Sequence, residues 1–148
     1  MNLDQFFKPL SKEEMLEYGN TLPLGFTYES NNLLTYRDSN GFWYEYTYDS
    51  NNINELTFRN SNGSWREYTY DSNNNLLTYK NSNDTNRIVL INGEDYTLWY
   101  DINSKNYVAG CHELSYKECL DCYKKSKDEY SDAKLFMKTI RKHHKTVA

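Results

Sequence analysis

The sequence has no long hydrophobic run, since its purest aliphatic stretch covers only residues 88–91. A membrane-spanning helix needs about 20 apolar residues, so we expect no membrane span. The first residues also have neither the basic segment nor the apolar segment of a signal peptide. Three cysteines, an odd number, are typical of a reducing compartment rather than of a disulfide framework. These absences together predict a cytoplasmic protein.

Catalytic signatures are absent as well. The sequence contains no glycine-rich phosphate loop. Cys111 and His112 are adjacent, and adjacent residues cannot easily face each other as nucleophile and base. Glu45 and Glu67 hold equivalent repeat positions and could have the spacing of glycosidase carboxylates, but repetition alone explains such a charge row. We therefore predict a protein that is not an enzyme and has no catalytic residues.

Cysteine and histidine near the C-terminus raise the question of zinc. Cys119 and Cys122, with Cys111 and His112 upstream and histidines at 143 and 144, provide suitable ligand types. However, Cys119 and Cys122 fall inside an amphipathic helical pattern without the turn and glycine of a zinc knuckle. We expect no metal and no cofactor, with these cysteines acting as small buried apolar side chains. Whether the four residues bind zinc is left open by the sequence.

Aliphatic residues are scarce, and aromatic residues replace them. Mean hydropathy is -0.95, whereas the chain has 15 Tyr, 6 Phe and 3 Trp. Such rings bury area while leaving a polar tip in water, so we expect a thin aromatic core. The net charge is -4, with -3 in residues 26–83 and +3 in residues 111–148. This distribution argues against direct binding to nucleic-acid phosphates and is compatible with a basic protein partner.

Residues 25–83 repeat one unit of sequence. Gly41 and Gly63 begin nearly identical segments and lie 22 residues apart. A fixed period of this size indicates an array of one supersecondary unit. Within each unit, residues 43–49 and 65–71 alternate as β-strands do. The array therefore predicts successive antiparallel hairpins.

The loops fix the expected register of these hairpins. A three-residue Ser-Asn-Gly loop at 39–41, with glycine in the left-handed region, pairs Tyr36 with Tyr44 and Arg37 with Trp43. A two-residue Asn-Gly turn would mix the two faces of the sheet, so the three-residue loop is the better prediction. The second hairpin gives the equivalent pairs Phe58 with Arg66 and Arg59 with Trp65.

This register separates two faces of the sheet. The tyrosine face carries Tyr36, Tyr44, Tyr46, Tyr48, Phe58, Arg66, Tyr68 and Tyr70. We expect it to be core, covered by two C-terminal helices. The tryptophan face has two interpretations: cross-strand stabilisation of a solvated surface, or a binding surface. We predict partner binding by six of its residues: Arg37, Trp43, Glu45, Arg59, Trp65 and Glu67.

Helical patterns flank the array. Ser11 with Glu14 and Ser115 with Glu118 form capping-box sequences. The first helix should reach about Tyr18 and end at Gly19 and Asn20. A polar linker at 124–128 should separate the second helix from a third at about 131–142.

Together these patterns predict an α+β fold. It should be an antiparallel meander of repeated hairpins with about seven to nine short strands, a short N-terminal helix and two C-terminal helices. We expect four segments along the chain: an N-terminal helix and cap at 1–24, hairpin repeats at 25–83, a further hairpin extending the sheet at 84–110, and a helical module at 111–148.

The repeats resemble a known family. Tyr-Asp-Ser-Asn-Asn-Asn-Leu at 70–76 is similar to the tyrosine-aspartate (YD) repeat of the Rhs family, Tyr-Asp-x-x-Gly-x-Leu. Residues 48–52 form a second copy and residues 28–29 a worn first one. Asn52 and Asn74 replace the glycine of that family, and Asn also visits the left-handed region. The resemblance implies β-hairpins. In the family long arrays form a shell around a toxin, and three copies cannot enclose anything.

The C-terminal part resembles a second kind of protein. Tyr-Val-Ala-Gly-Cys at 107–111, a capped helix, and then Phe136 and Ile140 are similar to a module of phage-encoded repeat proteins. Small acidic phage proteins of this kind often inhibit bacterial defence systems and include anti-CRISPR proteins. The resemblance therefore implies a phage or mobile-element protein in the cytoplasm of an infected bacterium. It would bind and inhibit a host protein or ribonucleoprotein complex, such as a CRISPR-Cas-type effector.

Two alternatives come from other functional classes. The chain is either a small-molecule or nucleotide binder with an aromatic pocket between sheet and helices, or a structural module that oligomerises through its edge strands. The partner and the oligomeric state are not given by the sequence.

Overall fold

The computed structural model describes residues 10–126 and 132–147. Within these residues the fold is α+β, an antiparallel meander of hairpins with one N-terminal helix and two C-terminal helices, as the sequence predicts. None of the described helices is long and apolar enough to cross a bilayer. The chain divides into two compact units, residues 1–84 and residues 85–148.

The first unit contains one described helix and six strands. The strands pair antiparallel in sequence order. The elements are α1 (Lys12–Thr21), β1 (Gly25–Glu29), β2 (Asn32–Arg37), β3 (Trp43–Tyr48), β4 (Glu55–Asn60), β5 (Trp65–Tyr70) and β6 (Leu76–Asn81).

The predicted hairpin register is confirmed. Tyr36 lies opposite Tyr44 and Arg37 opposite Trp43. The next hairpin has the equivalent pairs, Phe58 with Arg66 and Arg59 with Trp65. The loop glycine has a φ of 89° at position 41 and 85° at position 63, in the left-handed region that the three-residue loop requires.

The 22-residue period is visible in individual hydrogen bonds. The Tyr48 hydroxyl donates to the carbonyl oxygen of Leu33 at 2.9 Å, and the Tyr70 hydroxyl donates to that of Glu55 at 3.0 Å. Each donor and each acceptor is 22 residues from its counterpart. One type of backbone-to-hydroxyl bond recurs likewise, from Trp43 N to Ser61 Oγ and from Trp65 N to Ser82 Oγ.

The Asp-Ser-Asn-Asn turns explain the Asp and Asn of the repeat. Asp71 Oδ1 accepts the backbone N–H of Asn75 at 2.9 Å, and this bond is the main reason that the pKa of Asp71 is lowered. Asn52 and Asn74 adopt φ values of 54° and 63°. Asn tolerates this region better than other non-glycine residues because its short polar side chain bonds locally.

Helix α1 begins as predicted and ends later than predicted. The capping box is present in full: Ser11 Oγ accepts the Glu14 N–H, and the Glu14 carboxylate accepts the Ser11 N–H. The helix continues through Gly19 and Asn20 to Thr21, so the prediction that these two residues end it is wrong. Gly19 is a buried helical residue packed against a ring of β3.

The second unit contains four described strands and two helices. The elements are β7 (Asn86–Asn92), β8 (Thr97–Asp101), β9 (Asn106–Ala109), β10 (His112–Leu114), α2 (Tyr116–Ser126) and α3 (Ala133–Val147). Their buried core consists of Leu98, Tyr100, Tyr107, Ala109, Cys119, Phe136 and Ile140. The predicted capping box of α2 is confirmed, with Ser115 and Glu118 exchanging both bonds.

Several boundaries differ from the predictions. The described residues contain ten strands rather than seven to nine, because β1 and the three-residue β10 also pair. Residues 124–126, expected in a linker, belong to α2, and residues 127 and 128 lie outside the described residues. Helix α3 extends to Val147 rather than to 142, and its expected start at 131 lies outside the described residues.

The prediction that the tyrosine face is core is wrong for the repeats. None of its side chains is buried among the described residues. Phe26 and Tyr28 of β1 are 56% and 62% exposed. The core side chains of α2 and α3 instead pack with Leu98, Tyr100 and Tyr107 of their own unit.

Candidate functional site

On the tryptophan face, Trp43 is a buried anchor for α1. Its side chain is only 2% exposed. The indole N–H donates to the carbonyl oxygen of Met15 at 3.0 Å, and the ring meets Tyr18 edge-on with centroids 5.4 Å apart. Burial of an indole is favourable when its N–H has a partner, as it has here. Trp43 is therefore covered by α1 rather than available on an open surface.

Glu45 and Arg59 complete the attachment of this helix. Arg59 Nε lies 3.0 Å from Glu45 Oε1, and the Tyr18 hydroxyl donates to the same carboxylate. The Arg59 guanidinium also lies over the Tyr18 ring, 4.3 Å from its centroid. Burial, reinforced by Glu45, raises the pKa of Tyr18, so its hydroxyl keeps the proton that it donates. Glu45 is thus a partner in a structural cluster.

Arg37 binds the end of the same helix. Its Nη1 donates to the carbonyl oxygen of Leu22 at 2.8 Å and to that of Asn20 at 3.3 Å. Carbonyl groups at a helix C-terminus lack partners inside the helix, and a cationic side chain satisfies them favourably. Four of the six predicted partner-binding residues therefore contact α1 or the residue that follows it.

The other two predicted residues lie farther along the face. Trp65 is half-buried and lines a cleft of about 20 Å³ together with Met15 and Trp43. Such a volume holds about one water molecule and no organic ligand. Glu67 is half-buried and lies opposite Thr57 and Lys80 on the neighbouring strands. The role of all six residues in partner binding stays a prediction.

The tyrosine face carries a continuous row of aromatic rings. Phe26 of β1 pairs with Tyr36, with ring centroids 4.6 Å apart, and so extends this face onto the first strand. Tyr36 stacks on Tyr44 at 5.1 Å, and Tyr44 is 6.3 Å from Phe58. Neighbouring strands are about 4.8 Å apart, so one ring per strand gives contacts of this length.

The row continues across the last two strands of the first unit. The Arg66 guanidinium lies 4.6 Å from the centroid of the Phe58 ring. Tyr68 pairs with Tyr79 of β6, with centroids 5.0 Å apart. Every one of the six strands thus contributes an aromatic ring or a planar cation to one surface.

This surface is nearly neutral. Burial raises the pKa of Tyr44, Tyr48, Tyr68 and Tyr70, so these hydroxyls stay protonated at neutral pH. The charge of Arg66 is matched by Glu55, whose two oxygens lie 2.8 and 3.3 Å from its nitrogens. The face therefore presents ring area and hydroxyl groups, without an uncompensated charge at Arg66.

Sequence reasoning placed the tyrosine face in the core, although the residue type contained a contrary signal. Strands that are buried on one face usually carry Val, Ile or Leu there. Here the positions are filled almost entirely by Tyr, which leaves a polar tip in water. The choice of ring is thus typical of a surface that stays half-exposed.

Cysteine residues of the second unit separate into two environments. Cys119 is buried, its thiol lies 3.6 Å from the Leu114 carbonyl oxygen, and burial raises its pKa to about 12. Cys111, His112 and Cys122 line a different space, a cavity of about 170 Å³. No three His, Cys, Asp or Glu side chains in residues 10–126 and 132–147 converge on a possible metal position.

Comparisons with protein-family models, with curated proteins and with solved structures found no match to this chain. The likeness to YD repeats and to phage-encoded proteins therefore stays an expectation that depends on the sequence motifs alone.

Proposed function

We propose that this is a non-enzymatic binding protein that docks its tyrosine face on a protein partner. The observation that supports this proposal is the row of rings across β1 to β6, in which no ring is buried. Six strands at about 4.8 Å spacing extend over roughly 24 Å, a length suited to a protein interface.

The chemistry of tyrosine favours a protein as the partner. Tyrosine offers large, rigid contact area with few rotatable bonds, and it combines an apolar ring with a hydrogen-bonding tip. These properties enrich it in antibody paratopes and at the centre of other protein interfaces. The ring contacts between neighbouring strands already order these side chains, so binding costs less side-chain entropy.

Charge narrows the partner further. Residues 10–84 contain eleven Asp and Glu but only five Lys and Arg. An acidic surround around a neutral aromatic surface repels nucleic-acid phosphates and attracts a basic protein. Arginine in particular stacks on tyrosine rings. We therefore propose a partner whose docking surface carries exposed arginine or lysine residues.

The phage-related motifs suggest a more specific form of this proposal. In that form the chain is a phage or mobile-element accessory protein in the bacterial cytoplasm, and it blocks a host protein or ribonucleoprotein, such as a CRISPR-Cas-type effector. Its support is the resemblance of the repeats and of the C-terminal module. The tryptophan face then holds α1, while the opposite face meets the partner.

A capture experiment with paired variants tests the docking face. Purified chain is used to capture proteins from bacterial lysate, and complexes are weighed by native mass spectrometry. A partner of fixed stoichiometry should be lost with Tyr36→Ser plus Tyr44→Ser. It should be kept with the control Leu16→Ser plus Ile53→Ser, which alters two exposed apolar side chains elsewhere in the unit. Equal capture by both pairs, with folding verified by circular dichroism, would rule out the tyrosine face.

A further inference from the structure

The cavity in the second unit has the size of a single aromatic ring. Its volume is about 170 Å³, and cavities of about 150 Å³ with apolar walls bind benzene. Ala109 and Gly110 contribute its sheet side, and Tyr123 and Phe136 contribute the helical side. All of these residues belong to one compact unit.

Aromatic side chains form much of the wall. The rings of Tyr123 and Phe136 are nearly perpendicular, at 88°, with centroids 5.9 Å apart. Tyr96 lies on the opposite side, so close to Gly110 that a Cβ atom there would be 3.2 Å from Tyr96 Cε1. The side chain of Tyr96 is half-exposed, which places it at the open side of the cavity. Three rings around one space favour a flat ligand and also attract a cation.

One carboxylate also lines this cavity. Asp132 is 6% exposed and accepts the backbone N–H groups of Glu94 and Asp95, both at 3.0 Å. These bonds, first that from Asp95 and then that from Glu94, lower the pKa of Asp132, so it is ionised at neutral pH.

Asp132 retains capacity for a further partner. A carboxylate has about four lone-pair sites, and the two backbone bonds use two of them. Among the described residues no lysine or arginine forms an ion pair with Asp132. Glu94 and Asp95 place two further acidic residues in the same turn, which makes the local potential more negative. This environment favours a positively charged group.

We propose that the cavity binds a small aromatic amine, with its ring among Tyr96, Tyr123 and Phe136 and its ammonium group against the Asp132 carboxylate. This site is separate from the proposed docking face and does not depend on it. The neutral counterpart of such a ligand would gain the ring contacts without the charge pairing. An amine should therefore bind more tightly than a neutral molecule of the same shape.

Phenethylamine is a suitable probe, and 2-phenylethanol is its neutral counterpart. Each is titrated into the full chain near neutral pH and followed by calorimetry and by NMR. The amine should bind saturably and at least tenfold more tightly than the alcohol. No saturable binding of the amine, or equal affinity for the two molecules, would overturn the proposal.

Three variants locate the site. Asp132→Asn removes the charge but keeps an acceptor oxygen, so it should weaken amine binding at least tenfold and leave the alcohol unaffected. Cys122→Leu should abolish binding of both probes by filling the cavity from α2, and it decides the question if the first variant fails to fold. Lys134→Ala, an exposed position in the first turn of α3, is the matched control and should bind as the parent does. Unchanged amine affinity in folded Cys122→Leu would place the ligand elsewhere.

Discussion

A Cβ atom on Gly19 would lie 2.4 Å from Cδ1 of Trp43, so the backbone of α1 rests directly on the indole of β3. Real Cβ atoms do not approach this closely. The contact fixes the distance between helix and sheet, and it accounts for a glycine inside a helix, where that residue usually costs about 1 kcal/mol relative to alanine.

Gly19→Ala should therefore destabilise the first unit although alanine favours helices. We expect the free energy of unfolding to fall by about 1–3 kcal/mol, because the added methyl group must displace the ring or the helix. Urea denaturation measures the change. Glu17→Ala, at an exposed position of the same helix, should change stability by less than about 0.5 kcal/mol. A Gly19→Ala protein more stable than the parent would contradict the contact.

Trp43 and Tyr44 are neighbours on opposite faces of β3, so they offer a direct comparison. Trp43→Ala should cost about 3–5 kcal/mol because a buried ring and its bond to Met15 are lost. Tyr44→Ala should cost about 1 kcal/mol, since its ring is only half-buried. Thermal unfolding of both variants distinguishes the covered face from the open one. Equal losses would show that the tyrosine face is packed as well.

The two loop glycines should respond alike to substitution. No atom lies within 4 Å of a Cβ built on Gly41, and Gly63 has only an ordinary contact with Met15 at 3.8 Å. The cost of Gly→Ala at either position should thus be the left-handed backbone alone, about 1–2 kcal/mol. Gly41→Asn should recover part of that loss. Denaturation midpoints that differ strongly between positions 41 and 63 would mean that the repeats are not energetically equivalent.

Alkaline pH should weaken the second unit. Burial raises the pKa of Tyr107 and of Tyr123 to about 12, from an ordinary value of 10.0. Between these values the native state keeps protons that the unfolded chain releases, so the free energy of unfolding falls as pH rises. Tyrosinate absorbance followed during denaturation measures both effects.

Tyr107→Phe provides the comparison for this pH dependence. It removes one of the two late-titrating hydroxyls together with the 2.9 Å hydrogen bond to His143. Stability should be lower at neutral pH and should decline less steeply in alkali. A parent protein whose stability is constant from pH 10 to 12 would contradict the burial of these hydroxyls.

The register of the hairpins could be predicted because its determinants are local. Alternation along each strand and a loop glycine decide which residues face each other. The identity of the covered face could not be predicted in this way, since both faces carry aromatic rings. It depends on Gly19, which the sequence pattern assigned to the end of a helix because glycine is common there. Its actual role, close approach to Trp43, is a contact across 24 residues.

The cavity was outside the reach of local patterns for a similar reason. Its wall combines Tyr96 of the turn after β7 with Tyr123 and Phe136 of two different helices. Cysteine pattern predicted a buried thiol correctly at Cys119, yet it could not distinguish Cys122, which lines the cavity. Side chains brought together from distant segments leave no periodic signal.

The hydrogen bonds that recur at a spacing of 22 residues also affect how such a gene can change. Tyr48 and Tyr70 each bond within one copy of the unit and its immediate predecessor. Duplication of 22 residues would thus add two strands, with all their bonds, and lengthen the tyrosine face by roughly 10 Å. Slippage during DNA replication could in this way lengthen or shorten the face by whole units without disturbing the bonds in the remaining copies.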